Sequence, residues 1–181
     1  EYLRYYPKQC KMFMSDFISK LDKEKKVKLL ELGCGNCQNY EIYNNANNIE
    51  YTGVDFSKIL LDVAREQYGQ NDNITLVYED IFKFLANSNE YYDICLLYHV
   101  IELTSSQDLL LDMASKISKY VGILWYEPPI HDHQIVELKD ETYPNTPNTP
   151  YIRIKTSRDY YEHLIEKHNL MLVAKYIVDN N

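Results

Sequence analysis

The chain has 181 residues and a formal net charge of −8, with 27 acidic and 19 basic side chains. This length suits a single domain with a sizeable core. The acidic balance argues against a nucleic-acid partner, because no basic stripe is present to neutralise phosphates. No apolar run is long enough for a membrane span and no signal peptide is visible, so we expect a cytoplasmic protein.

Strand and helix periods alternate along the first third of the chain. Residues 8–21 are predicted to form a helix, with Pro7 near its start. The first strand covers about 28–32, and a helix over about 38–46 follows it. The second strand covers 50–54.

The same alternation continues after Ser57, which is a suitable N-cap for a helix over 58–68. Four apolar residues of this helix are expected to face the sheet: Ile59, Leu60, Val63 and Ala64. The third and fourth strands are predicted at 74–77 and 94–97.

The last third of the chain adds a helix over 106–118 and a fifth strand at 121–126. Thr156-Ser157-Arg158-Asp159 offers N-caps for a helix that ends near His168, and 170–178 is predicted as a sixth strand. Strands that alternate with helices imply an α/β protein with a parallel, doubly wound sheet. A ligand is then expected beyond the carboxyl ends of the strands, at the switch point.

Residues 27–38 indicate function more strongly than any other stretch. An apolar run leads directly into Gly33-Cys34-Gly35, where glycines let the backbone turn tightly after a buried strand. Such a turn presents main-chain N–H groups, and a polar cofactor can approach them without meeting a Cβ atom. By itself, a Gly-x-Gly motif does not identify that cofactor.

Asp55 closes the second apolar run, about 20 residues beyond the glycines, where dinucleotide-type folds have an acidic residue that accepts hydrogen bonds from a ribose. A carboxylate suits this task because it only accepts. Cys37 or Gln38 stands where a nicotinamide fingerprint has a third glycine, which argues against a pyrophosphate. A cofactor that carries adenosine without phosphates tolerates the extra bulk.

Four ordered motifs between 27 and 178 resemble those of class I S-adenosylmethionine (SAM)-dependent methyltransferases. They are Glu-Leu-Gly-Cys-Gly (31–35), Gly-Val-Asp-Phe-Ser (53–57), Tyr-Glu-Asp-Ile (78–81) and Tyr-Asp-Ile-Cys-Leu-Leu-Tyr-His-Val-Ile-Glu (92–102). The resemblance implies a Rossmann-like methyltransferase fold with a mostly parallel sheet. It also implies SAM as the cofactor and S-adenosylhomocysteine (SAH) as the product.

The resemblance further implies which residues bind the adenosine part of the cofactor. Asp55 is expected to bind the ribose hydroxyls, with a charge at a helix N-terminus as the alternative. Phe56 is expected along the adenine face, with core packing as the alternative. Asp80 and Ile81 are similar to the pair that receives the adenine amino group. In the alternative interpretation, Asp80 is an acidic loop residue that does not contact the cofactor.

The methionine part of the cofactor is expected at the glycine turn. Glu31 is expected to face the ammonium group, while Gly33, Cys34 and Gly35 make room for the methionine chain, and Tyr98 lines the pocket. Cys34 has C-x-x-C spacing with Cys37, but redox use needs a thioredoxin-like context that is missing here. The four cysteines are therefore interpreted as reduced, in an intracellular protein.

His99 and Glu102 follow the fourth strand, where the sulfonium and the methyl acceptor would meet, and are the candidate catalytic residues. Methyl transfer is an in-line displacement, so orientation is the enzyme's main contribution. A histidine can serve as a general base near neutral pH. In the alternative interpretation, His99 caps a helix or contacts the cofactor and does not act as a base.

A metal site is not expected. The His131-Asp132-His133 stretch could present two imidazoles, but no third ligand is fixed, so we interpret it as a solvated loop. Glu127-Pro128-Pro129 is similar to the Pro-Pro motif of adenine-modifying methyltransferases, but it follows the fifth strand instead of the fourth. A nucleic-acid base is therefore a poor candidate for the acceptor.

We interpret 1–181 as a single methyltransferase domain. Its parts are an N-terminal helical cover (1–26), a cofactor-binding core (27–127), a substrate-side loop (128–150), and the last helix and strand (151–181). The substrate-side loop is long and rich in proline, and such loops are often functional lids or disordered segments.

The chain stops just after the predicted sixth strand, whereas class I methyltransferases usually have a further antiparallel strand. We therefore expect the C-terminal edge strand to be missing, or the chain to have been cut from a longer protein. Glu1 is not a start residue, which suggests a trimmed N-terminus.

Two functional hypotheses from different classes follow. The leading one is methyl transfer from SAM to an O or N atom of a small-molecule or sugar-like acceptor. The alternative is a non-catalytic or degenerate SAM-binding module, or a partner subunit of a larger protein. A protein methyltransferase lies between the two, and the sequence leaves the oligomeric state open.

Overall fold

A computed structural model of the chain describes a central sheet and the helices around it. The described residues are 16–18, 21, 25–43, 48–124, 134–138, 151–155 and 157–173, with 134–138 and 151–155 described by their backbone.

Five parallel strands form the central sheet, in the order β3-β2-β1-β4-β5. They are β1 (Val27–Leu32), β2 (Ile49–Asp55), β3 (Ile74–Tyr78), β4 (Tyr92–Tyr98) and β5 (Ser118–Leu124). The chain changes direction across the sheet between β1 and β4, where Glu31 pairs with Gly53 on one side and with Leu96 on the other. The first five predicted strands and the parallel α/β class are confirmed, although residues 125 and 126 of the predicted fifth strand lie outside the described residues.

Among the described residues, four complete α-helices flank the sheet, besides the helical residues 16–18. They are α1 (Lys58–Tyr68), α2 (Ile81–Asn87), α3 (Gln107–Lys116) and α4 (Arg158–Lys167). The predicted N-caps are confirmed, because Ser57 Oγ accepts from the Leu60 N–H and Ser157 Oγ accepts from the Tyr160 N–H. Helix α2 was not predicted. Within the described part of the chain, no helix is long and apolar enough to cross a membrane.

The helix predicted over 38–46 is instead a short 3-10 helix, Gln38–Ile42. It follows Cys37, whose φ of 59° lies in the left-handed region. Tyr40 and Tyr43 donate their N–H groups to carbonyls three residues earlier, at 2.9 and 2.8 Å. This tighter winding explains the difference, since i→i+3 bonds define a 3-10 helix. Residues 44–46 lie outside the described residues.

Helix α1 has the predicted bounds, but the side predicted to face the sheet is wrong. Ile59 is 78% exposed, and Leu60 and Val63 are exposed as well. The buried residues are Leu61, Ala64 and Tyr68, which share one helical face by their spacing of three and four residues. Of the four residues predicted to face the sheet, only Ala64 does so.

The two faces of the sheet carry different cores. One face bears a tyrosine cluster, which we define as Tyr40, Tyr43, Tyr51 and Tyr68. The ring centroids of Tyr40 lie 5.0 Å from Tyr51 and 5.1 Å from Tyr68, and Tyr43 stacks on Tyr51 at 6.5 Å. The other face is mainly aliphatic, with the buried residues Leu30, Leu32, Val54, Leu97, Ile101, Leu110, Leu111 and Leu164.

A separate two-stranded antiparallel sheet joins β6 (Gln134–Leu138) to β7 (Tyr151–Lys155). The prediction of a loop throughout 128–150 is therefore wrong for Gln134–Leu138. This stretch is free of proline and contains the β-branched residues Ile135 and Val136, which favour a strand. The rest of 128–150, including His131-Asp132-His133, lies outside the described residues.

Both ends of the chain are described only in part. Of the helix predicted over 8–21, residues 16–18 are helical, and the Phe17 ring meets the Tyr120 ring edge-on at 5.2 Å. In the strand predicted over 170–178, residues 170–173 form no strand, and Met171 is 81% exposed. The remainder of both predicted elements lies outside the described residues.

Candidate functional site

The turn after β1 packs against the segments that follow β2 and β4. Gly33 and Gly35 have φ values of 70° and 55°, which glycine adopts more readily than other residues. The Gly33 N–H donates to the Val54 carbonyl at 2.7 Å. A Cβ atom at position 33 would lie 2.3 Å from Val100 Cγ2. The turn therefore exposes its main chain at the carboxyl ends of three neighbouring strands.

Asp55, the last residue of β2, links the glycine turn to α1. Its Oδ2 accepts from the Gly35 N–H at 2.8 Å, and its Oδ1 accepts from the Ser57 N–H at 2.7 Å. The side chain is buried. Because a carboxylate oxygen has two lone pairs, each oxygen retains acceptor capacity beyond these bonds. Asp55 thus presents negative charge where the turn and α1 meet.

Phe56 follows Asp55 and is 75% exposed, so the alternative that it packs in the core is wrong. Ile59, Leu60 and Val63 continue this exposed apolar surface along α1. Gly35 also borders it, since a Cβ atom at position 35 would contact Leu60 Cδ1 at 3.8 Å. An aromatic side chain therefore stands open to a planar ligand beside the Asp55 carboxylate.

Glu31 is the most deeply buried acidic residue of the site, with 1% of its surface exposed. Its Oε1 accepts from Asn39 Nδ2 at 2.7 Å, and its Oε2 accepts from the Tyr51 hydroxyl at 2.6 Å. Burial raises the pKa of Glu31 to about 7, the two hydrogen bonds oppose that rise, and the Asp55 charge adds to it. Glu31 therefore carries a proton part of the time at neutral pH.

Asp80 is the N-cap of α2. Its Oδ1 accepts from the N–H groups of Phe82 at 3.0 Å and Lys83 at 3.1 Å. Ile81 packs against the aliphatic core. The Glu79 N–H donates to the Asp55 carbonyl at 3.1 Å, so the loop after β3 lies beside the end of β2. Asp80 therefore stands near the expected adenine position, and its adenine contact stays a prediction.

His99 and Glu102 lie together after β4. His99 Nδ1 is 3.7 Å from Glu102 Oε1, and Glu102 is buried. His99 has a φ of 55°, and its N–H donates to the Leu124 carbonyl at 3.0 Å. This left-handed backbone turns the chain at the end of β4. The imidazole therefore lies close to Glu102, which belongs to the following 3-10 helix, Ile101–Leu103. Tyr98 is buried on the face of the tyrosine cluster.

The cysteines of the glycine turn are buried and free. A hydrogen bond with Cys37, together with burial, raises the pKa of the Cys34 thiol far above its usual range. A thiol held in its neutral form is a poor nucleophile and a poor metal ligand, which agrees with a structural role. No group of three or more metal-ligating side chains occurs among the residues that the structure describes.

Sequence reasoning missed three residues that shape the site: Asn39, Tyr51 and Val100. Asn39 and Tyr51 hold Glu31, and Val100 closes the space above Gly33. Tyr51 looks like an ordinary strand residue. The available signal was its alternation with Gly53, which places both on the same face of β2.

These features define a class I α/β methyltransferase fold, with a glycine turn after β1 and an acidic residue at the end of β2. A family model described as a methyltransferase domain matches residues 30–126, more than half of the chain. The chain belongs to this methyltransferase domain family. No curated protein sequence matches it.

Solved structures with bound SAH share the fold at low sequence identity. The N-terminal domain of EvdMO1 with SAH bound superposes with a TM-score of 0.61 and 14% identity, covering 78% of this chain and 64% of that domain. The plantazolicin methyltransferase BpumL in complex with SAH has a TM-score of 0.54 and 22% identity, covering 67% of this chain and 49% of that protein. The chain thus spans less than two thirds of the length of either structure.

Proposed function

We propose that this chain binds SAM at the carboxyl ends of β1 and β2 and transfers its methyl group to an O or N atom of a small-molecule or sugar-like acceptor. The main support is Asp55, a buried carboxylate that bonds to the Gly35 and Ser57 N–H groups and so lies where the glycine turn meets α1. Membership of the methyltransferase domain family and the three free, buried cysteines support a cytoplasmic enzyme of this kind.

The residues present fit the chemical groups of SAM. Asp55 can accept from the ribose hydroxyls, and the exposed ring of Phe56 can stack on adenine. Glu31 can accept from the ammonium group, and the glycine turn that follows it is proposed to lie along the methionine chain. Asp80 and Ile81 stand beside the adenine end. We assign all of these residues to cofactor binding.

When bound, SAM supplies a methyl group on a positively charged sulfur, so the protein's task is to align an acceptor atom and remove its proton. We assign that proton to His99. The Glu102 carboxylate, 3.7 Å from Nδ1, would hold the imidazole and stabilise its protonated form. This pair follows β4, next to the turn that is proposed to hold the cofactor.

The acceptor side is proposed to include the β6–β7 hairpin. Strand β7 lies beside the 3-10 helix Ile101–Leu103, which directly follows His99. The hairpin therefore lies beside the segment that carries the candidate catalytic pair, which supports the assignment of 128–150 to the acceptor.

Direct binding tests the proposal. In isothermal titration calorimetry, SAH is expected to bind the chain with one site. Saturating SAH should also stabilise the fold by mass action, by about 2.7 kcal/mol at a hundredfold excess over the Kd. Heat without methyl transfer to sugars, amines or nucleotides would favour the non-catalytic module, and turnover on peptides would favour a protein acceptor. No heat and no thermal shift would refute a SAM-binding function.

Asp55→Ala is expected to weaken SAH binding by roughly 1.5–3 kcal/mol, because it removes a charged acceptor for the ribose hydroxyls. The matched control is Asp62→Ala on the exposed side of α1, where the carboxylate pairs with Lys58 and Arg65. Titration calorimetry on both folded variants makes the comparison. Equal affinities for the two variants would show that Asp55 does not bind the cofactor.

A further inference from the structure

The Glu31 carboxylate is held on both of its oxygens by side chains from two different elements. Asn39, from the 3-10 helix, donates to Oε1 at 2.7 Å, and the hydroxyl of Tyr51, from β2, donates to Oε2 at 2.6 Å. Two opposed donors fix the plane of the carboxylate. Each oxygen keeps a second lone pair that a further donor can use.

Tyr51 is itself held rigidly. Its ring packs on Tyr40 at 5.0 Å and on Tyr43 at 6.5 Å within the tyrosine cluster. Gly53 leaves the space that this ring fills, because a Cβ atom there would lie 3.0 Å from Tyr51 Cε1 and 2.8 Å from Cys34 Sγ. The hydroxyl therefore reaches Glu31 from a ring with little freedom to move, so little entropy is lost in forming the bond.

We propose that Tyr51 and Asn39 are positioning residues that orient the Glu31 carboxylate towards the ammonium group of the bound cofactor. The proposal rests on the proposed function, since it assumes that a SAM-type ligand lies on the glycine turn. This role would explain why the Glu31 carboxylate is buried between two apolar faces, where a polar group is costly to bury.

The charged and titratable groups around Glu31 make this positioning measurable. From β2 come Tyr51 and Asp55, and from the turn come the thiols of Cys34 and Cys37, with Cys95 facing it from β4. None of these side chains is a cation. An arriving ammonium would be the positive partner of Glu31 and would lower the pKa of this carboxyl below its value of about 7 in the free protein.

Binding of an ammonium-bearing ligand should therefore depend on pH in a defined direction. Glu31 has a lower pKa in the complex than in the free protein. The affinity for an ammonium-bearing ligand therefore reaches its full value above pH 7 and falls by about tenfold for each pH unit below pH 7. A ligand without the ammonium group should lack this dependence. SAH carries the group, and 5′-methylthioadenosine has the same adenosine and thioether without the amino acid.

The experiment measures the Kd of both ligands between pH 5 and 9 for the wild-type chain, Tyr51→Phe and Tyr40→Phe. Tyr51→Phe removes one donor to Glu31, so the midpoint of the SAH profile should rise by about one pH unit, and SAH should bind roughly tenfold more weakly at pH 6. Binding of 5′-methylthioadenosine should change less than twofold. Tyr40→Phe deletes a hydroxyl from the same cluster without touching either donor to Glu31, and should keep the wild-type midpoint.

Asn39→Ala provides a second variant, at a half-buried position, and should move the SAH midpoint in the same direction. Equal pH profiles for SAH and 5′-methylthioadenosine in the wild type would overturn the positioning role while leaving cofactor binding intact. A midpoint that Tyr40→Phe shifts as far as Tyr51→Phe does would overturn that role as well. If neither ligand binds the wild type, the proposed function fails, and this inference fails with it.

Discussion

Leu61→Ala is expected to destabilise the fold by about 2–5 kcal/mol, because it removes a fully buried side chain from α1 and leaves a cavity against the sheet. The loss should appear as a lower midpoint in urea unfolding with an unchanged slope. The effect is large because Leu61 has none of its surface exposed and belongs to the same core as the tyrosine cluster.

Ile59→Ala, two residues away in the same helix, is the matched control. Ile59 is 78% exposed, so its truncation should change the free energy of unfolding by no more than about 0.5 kcal/mol. Both variants introduce the same good helix former, so helix propensity cannot produce the difference between them. A cost at Ile59 equal to that at Leu61 would mean that α1 packs on the face predicted from sequence.

Glu31→Gln is expected to stabilise the chain at pH 8 by up to about 3 kcal/mol relative to wild type. In the folded protein the pKa of Glu31 is about 7, against 4.5 for an unperturbed glutamate. Because the folded value is the higher one, the folded state binds more protons than the unfolded state between these pH values, and wild-type stability falls as pH rises through this window. The 2.5-unit difference (7 minus 4.5) corresponds to roughly 3 kcal/mol.

Because glutamine cannot ionise, its stability does not fall in this pH range. The difference in the free energy of unfolding between Glu31→Gln and wild type should therefore be near zero at pH 4.5 and increase towards pH 8. The measurement is the free energy of urea unfolding for both proteins at several pH values. Glu66→Gln, at an exposed position of α1, should show no such trend. A difference between Glu31→Gln and wild type that stays constant with pH would show that the pKa of Glu31 is the same in the folded and unfolded states.

The five strands of the central sheet were predictable from sequence because each is a short apolar run that ends at a turn or a helix N-cap. The buried face of α1 was not, since five of its seven residues from Ile59 to Arg65 are apolar and periodicity alone allows two faces. Tyr68, at the end of the helix, decides between them by packing on Tyr40. Helix α2 was missed because Asp80 was interpreted as a cofactor contact or an acidic loop residue, although it is also a typical N-cap.

The candidate site was predictable where residue type and chain position specify the chemistry. Gly33, Gly35 and Asp55 stand at strand ends, and the structure brings them together as expected. The partners of Glu31 were not predictable, because Asn39 and Tyr51 reach it from separate elements. Their contact depends on the 3-10 winding after Cys37 and on the space at Gly53, and both are tertiary features.

The close packing at Gly53 also constrains how this chain can change by mutation. A methyl group at position 53 would meet the Cys34 thiol and the Tyr51 ring together, so alanine should be tolerated there only after a smaller residue has appeared at position 34 or 51. The order of substitutions then matters, because the same replacement is harmful in one background and neutral in another. Homologous chains should therefore show correlated residue choices at positions 34, 51 and 53, with bulk at one position excluding bulk at the others.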